Sequence, residues 1–145
     1  MIGSTPMIVV GFDGSLGGER ALEWALHEAA APASPVRAVT AWSWDSGLLT
    51  TLAGRPADPT QRLRQLQEEQ IARVLRRVGP APCPIETVVV EGDPASLLLP
   101  LSRVARLLVV GRHAGPGGSA VGSVARACLR LAACPVVVVP VEATP

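Results

Sequence analysis

Asp13 stands in the run Val9-Val10-Gly11-Phe12-Asp13-Gly14-Ser15, just past a short apolar stretch closed by glycine. A carboxylate there can accept hydrogen bonds from ribose hydroxyls or an adenine amino group. Asp13 and Ser15 equally suit turning the chain and capping the helix that follows. Far along the chain, Gly111 to Gly122 holds five glycines in twelve residues and runs into Ser123. The backbone N–H groups of such a loop can approach a phosphate closely, with a helix amino terminus and the Ser123 hydroxyl supplying further donors. A surface loop without a ligand is the alternative. Arg112 and His113 can assist an anion or simply be solvated, and Trp42 and Trp44 can flank a base or pack at a rim. Two further signals complete the set, Glu91-Gly92-Asp93-Pro94 and Cys134-Pro135 ahead of Val136 to Val139.

The elements that must carry these residues alternate along the chain. Met7 to Gly11 is apolar throughout, as in a strand buried on both faces. From Glu19 onward Ala21, Leu22, Ala25, Leu26 and Ala29 recur at helical spacing while the charged residues fall elsewhere, which predicts an amphipathic helix. Val36 to Trp42 reads as the second strand, and Ser43 to Ala57, without periodicity, as a long connection. Asp58, Pro59 and Gln61 supply a cap, a first-turn proline and a capping-box partner for a second helix. That helix has the stripe Leu63, Leu66, Ile71, Val74 and Val78 and is stopped by Gly79-Pro80. Ile85 to Glu91 is the third strand, and Asp93-Pro94 opens a third helix that Pro100 should kink or end early. Leu107 to Val110, Ser123 to Ala132 and Val136 to Val139 supply strand four, helix four and strand five. The alternation predicts an α/β fold: one Rossmann-like domain over residues 7–140, with a five-stranded parallel sheet and helices on both faces. Residues 1–6 are expected to form a disordered amino-terminal tail and residues 141–145 a carboxyl-terminal tail. Three of the four signals then fall at carboxyl ends of strands, where open parallel sheets bind their ligands, while Cys134-Pro135 leads into the fifth strand.

The bulk properties narrow the function. At 145 residues, 48% hydrophobic and 17% charged, the chain suits one compact domain. A formal net charge of +1 gives no electrostatic footprint for nucleic acid. All thirteen basic residues are arginine, so the lysine of a Walker A loop is missing and a P-loop NTPase is excluded. Cys83, Cys128 and Cys134 follow no C-x-x-C spacing and lie in or beside apolar segments, as plain buried thiols do, and with only two histidines no metal site is expected. Met1 to Pro6 lacks the features of a signal peptide and no apolar run reaches membrane-spanning length, so a cytoplasmic protein without a membrane partner is expected. Gly115-x-Gly117-x-x-Ala120 fits a loose dinucleotide pattern but follows the fourth strand, so it is a chance match. No G-x-S-x-G turn surrounds any serine, and no catalytic residues are expected.

Taken in order and at nearly full length, Val-Gly-Phe-Asp-Gly-Ser, Glu-Gly-Asp-Pro, Val-Val-Gly with its glycine-rich loop into Gly-Ser, and Cys-Pro-Val-Val-Val-Val resemble the universal stress protein family. The resemblance implies a five-stranded domain, usually homodimeric, here through strand 136–139. Its ATP-binding members act as stress-linked nucleotide sensors, working through partners the sequence does not name, rather than as efficient enzymes. The cofactor implied is ATP, with Mg²⁺ as a possible companion. The binding set carried over is Gly11, Asp13, the backbone near Ala41, Gly111, Arg112, Gly115, Gly117, Gly122 and Ser123. One departure stands out. The family's ATP-binding pattern spaces its glycines as Gly, two residues, Gly, nine residues, Gly, then Ser or Thr. Here Ala114 occupies the second position and only ten residues separate Gly111 from Gly122. Gly115 can take the second role in a shifted register; otherwise Ala114 carries a left-handed penalty of roughly 1–2 kcal/mol. A nucleotide-free member serving as a dimeric interaction module therefore remains the alternative. A nucleotide-dependent enzyme of the pyrophosphatase-loop type is disfavoured, because the first strand ends in Gly-Phe-Asp-Gly-Ser and not in a Ser-Gly-Gly loop.

Overall fold

The computed structural model describes residues 6–30, 34–44, 58–112 and 122–141. In chain order the elements are β1 (Ile8–Gly11), α1 (Leu16–Ala29), β2 (Val36–Trp42), α2 (Thr60–Val78), β3 (Ile85–Glu91), α3 (Pro94–Leu101), β4 (Leu107–Gly111), α4 (Ser123–Leu131) and β5 (Val136–Val139). The strands form one sheet in the order β3-β2-β1-β4-β5, every neighbouring pair parallel. Strand order reverses between β1 and β4, so the crevice favoured for ligands opens above the ends of those two strands.

Because successive strand side chains point to opposite faces, each strand feeds two cores. Ile8, Val10 and Phe12 join Ala38, Val109 and the inward rows of α1 and α2, while Val9, Val39, Leu108 and Val110 meet Leu98 of α3 and Ala125 and Cys128 of α4. This two-sided burial explains the unbroken apolar runs of β1 and β4.

Helix boundaries depart from the sequence expectations in instructive ways. Periodicity places the onset of α1 at Glu19, yet the helix begins at Leu16, because Ser15 caps it by accepting from the Gly18 N–H at 3.1 Å. Gly17 and Gly18, poor helix formers, sit in that first turn for reasons of space. A β-carbon on Gly17 would lie 3.2 Å from the Arg112 carbonyl oxygen, and one on Gly111 would collide with the Gly17 backbone. At α2 the expected cap is displaced. Pro59 occupies the N-cap position without a side-chain cap bond, and Asp58 instead accepts from the Thr60 N–H at 3.0 Å, its carboxyl held below the ordinary range by the Thr60 backbone and side-chain hydrogen bonds. The helix closes at Gly79, whose φ of 99° is left-handed and whose N–H donates to the Leu75 carbonyl. Asp93 caps α3 through the Ser96 N–H at 3.0 Å, and the helix ends at Leu101, one residue past Pro100, as expected of an interior proline. Strand β4 runs one residue further than expected, to Gly111, and α4 stops one residue earlier, at Leu131.

Arg77 on α2 pairs with Glu23 and approaches Glu19 at 4.0 Å, tying α2 to α1. Partly exposed pairs of this kind contribute only about 0–1 kcal/mol, so the two cores carry the stability.

Candidate functional site

Above the β1–β4 reversal lies a cleft whose empty space, open mouth included, is about 540 Å³. Its lining comes from six elements or their immediate extensions: Gly11 at the end of β1 with Phe12 and Asp13 after it, Val39 and Ala41 of β2, and Val110 and Gly111 of β4. Gly18 of α1, Pro94 and Leu98 of α3, and Val124 and Ala125 of α4 complete it. The walls are therefore mostly apolar, with one carboxylate and the backbone groups of strand ends.

Asp13 carries both of the roles its position allows. It lines the cleft, and its Oδ1 accepts from the Ser15 N–H at 3.0 Å and from the Ser15 hydroxyl. Ser15 in turn caps α1, so the carboxylate sits beside a helix amino terminus, where its negative charge is favoured. Gly18 makes room for it, since a β-carbon there would stand 2.9 Å from Asp13 Oδ1. Gly11 keeps the floor low in the same way, its missing β-carbon being 3.2 Å from Leu98 and Val110 methyl groups.

Four expected site residues thus meet in one cleft: Gly11, Asp13, Ala41 and Gly111. Gly111 also serves packing against Gly17. Arg112 follows at the sheet margin, its N–H donating to the Val139 carbonyl at 2.8 Å. Gly122 is the N-cap of α4 and Ser123 its first residue, one step before the cleft residues Val124 and Ala125. Gly115, Gly117, His113 and Ala114 lie outside the described residues. Trp42 is buried against Leu63 and Val89, with Trp44 packed edge-on at 5.5 Å, so Trp42 belongs to the α2 face and not to the cleft. Among the described residues no group of three or more metal-ligating side chains occurs, and no helix is long and apolar enough to cross a membrane. Of the cysteines, Cys128 is buried while Cys83 and Cys134 are partly exposed, and burial pushes all three thiols above their ordinary value, with Cys134 adding to the effect at Cys128.

Pro94 belongs to a strand-end signal in the sequence but not to the expected binding set, and sequence reasoning missed both Leu98, which closes the cleft from α3 beside Pro94, and Gln67. Gln67 occupies the inward row Leu63, Gln67, Ile71, Val74 of α2 and is 1% exposed. Its spacing of four from Leu63 and four from Ile71 was the available signal, masked because the residue is polar.

A doubly wound, Rossmann-like α/β domain with a cleft at its topological switch point is the class this geometry defines. Comparison with known proteins refines it: the model of the universal stress protein family matches residues 6–140, and the chain belongs to that family. Universal stress protein Rv1996 of Mycobacterium tuberculosis and universal stress protein Mb2019 of Mycobacterium bovis are each 35% identical to it over 147 residues, covering 95% of this chain. The chain spans only 45% of the length of these relatives. Among solved structures, a universal stress protein in complex with cAMP aligns with a TM-score of 0.66 at 25% identity, over 97% of this chain and 100% of the other. A family member from Burkholderia pseudomallei aligns with a TM-score of 0.65 at 26% identity, over 94% and 96%. The Archaeoglobus fulgidus protein in complex with dAMP, 23% identical with a TM-score of 0.64 over 95% and 98%, shares the fold.

Proposed function

We propose that this chain binds ATP, with Mg²⁺, in the switch-point cleft and acts as a nucleotide-responsive signalling protein, working as a homodimer in the cytoplasm rather than as an efficient enzyme. The observation that carries the reading is the convergence of Asp13, the β2 end at Ala41 and the first turn of α4 on a single cleft. In that arrangement Asp13 accepts from the ribose or the adenine amino group, and the backbone beside Ala41 meets the base edge. Gly11 and Gly18 keep the floor free of side chains, and the phosphates run toward Gly111, Gly122 and the α4 amino terminus, whose N–H groups favour anions. The nucleotide supplies the charge that such a helix end can sense. A solved neighbour holding cAMP supports an adenine nucleotide as the class.

Titration of the purified protein with ATP and Mg²⁺ tests the reading. Saturable binding at or below millimolar nucleotide is expected, with ATP consumption no faster than slow background turnover. No binding at millimolar ATP overturns it and favours the nucleotide-free interaction module. Rapid product formation would instead mark an enzyme.

A further inference from the structure

At the end of β1 the Phe12 N–H makes one more ladder bond, to the Val39 carbonyl at 2.8 Å, and the chain then turns into Asp13. The Phe12 carbonyl is taken by a side chain: the Thr40 hydroxyl donates to it. The Thr40 oxygen accepts in turn from Gln67 Nε2 at 2.8 Å, and the same amide nitrogen reaches the Ala38 and Val88 carbonyls at 3.2 and 3.4 Å. Gln67 is 1% and Thr40 4% exposed, so this polar chain is sealed inside the layer between the sheet and α2.

Packing does not explain it. A leucine or methionine at position 67 would fill similar volume without desolvating an amide, and Gln67 Oε1 is buried with no hydrogen-bond partner. What the amide does accomplish is directional. Because Gln67 can only donate at Nε2, it occupies the Thr40 oxygen as an acceptor and leaves the hydroxyl proton to point at the Phe12 carbonyl. Phe12 and Asp13 share a planar peptide, so fixing that carbonyl fixes the direction in which the chain leaves toward Asp13. One turn along α2, the Gln70 amide packs over Gly14. Helix α2 therefore holds the site segment on both sides of Asp13.

We propose that Gln67 and Thr40 are positioning residues for nucleotide binding, forming a buried relay from α2 through the Phe12 carbonyl that sets the Asp13 carboxylate over the cleft. The relay rests on the nucleotide-binding reading for its functional consequence, while its effect on Asp13 can be measured without ligand.

The test combines two readouts on Thr40→Val, Thr40→Ser and Gln67→Met. In the ligand-free protein, amide hydrogen exchange at Ser15, whose N–H is held by Asp13, is expected to quicken about tenfold in Thr40→Val and to stay near wild type in Thr40→Ser. Amides of β4 and β5 should be unaffected. ATP dissociation constants are expected to rise about tenfold in Thr40→Val and about threefold in Gln67→Met, with Thr40→Ser close to wild type. Because the relay acts through Asp13, adding Thr40→Val to Asp13→Ala should cost no further affinity. Unchanged Ser15 exchange in Thr40→Val, or an equal loss of affinity whether Asp13 is present or not, overturns the proposal. Should Thr40→Val fail to fold, Gln67→Met carries the same two readouts. Failure of the wild-type protein to bind ATP overturns the proposed function alone, and the exchange rates then decide the relay.

Discussion

Two residue types at the site serve twice. Asp13 braces Ser15 while facing the cleft, and Gly111 ends β4 at the cleft while touching Gly17 of α1. From residue types alone, Asp13 reads equally as a ligand acceptor or as part of a helix cap, because a carboxylate at a strand-to-helix turn satisfies both demands. Distances separate the roles only by showing that both are met. Gly111 reads in the sequence as the start of a phosphate loop, and its packing duty is invisible there, since the partner backbone lies more than ninety residues away. Replacing Gly111 with alanine should destabilise the fold by about 1–3 kcal/mol through overpacking, because the opposing atoms are backbone and cannot rotate aside. Urea unfolding measures it. A change below about 0.5 kcal/mol would mean that α1 shifts freely at its first turn.

Elements were legible where pattern and punctuation agree. Asp93-Pro94 and Pro100 mark both ends of α3 in the sequence and in the structure, and Gly79 ends α2, because local capping and proline chemistry act without tertiary help. The start of α1 was not legible in the same way: Gly17-Gly18 weakens helix propensity, and only the close approach to Asp13 and Arg112 explains why glycine is used inside a helical turn. Gln67 was hidden for the opposite reason, a polar residue on an apolar row whose acceptors belong to β2 and β3. The glycine-rich connection between β4 and α4 belongs to this scale too. If its reduced length weakens the phosphate cradle, inserting two residues between Ala120 and Val121 should lower the ATP dissociation constant. Gly122→Val should abolish binding by crowding the backbone where the nucleotide approaches the α4 amino terminus. Calorimetric titration of the three proteins decides, and equal affinities would show that the phosphates are held elsewhere.

At the scale of the whole molecule, strand order leaves two edges, β3 and β5, and their chemistry differs. Strand β3 carries Glu86, paired to Arg37 at 3.1 Å, and the exposed Glu91, charges that discourage another chain from pairing there. Strand β5 is four valines with no charge, each only half-buried although its side chains reach both cores. An uncharged β-branched edge of this kind invites pairing, and Pro135 and Pro140 at its two ends limit the ladder to a short stretch, which favours one partner over a growing array. A homodimer joined through β5 would cover those valines and leave the cleft, which opens above β1 and β4, available in each copy. Light scattering at high micromolar concentration is expected to give the mass of a dimer, and Val137→Arg combined with Val138→Glu should give a monomer whose circular dichroism remains α/β. A monomeric wild type, or a dimer that survives both substitutions in a folded protein, would rule out β5 as the interface.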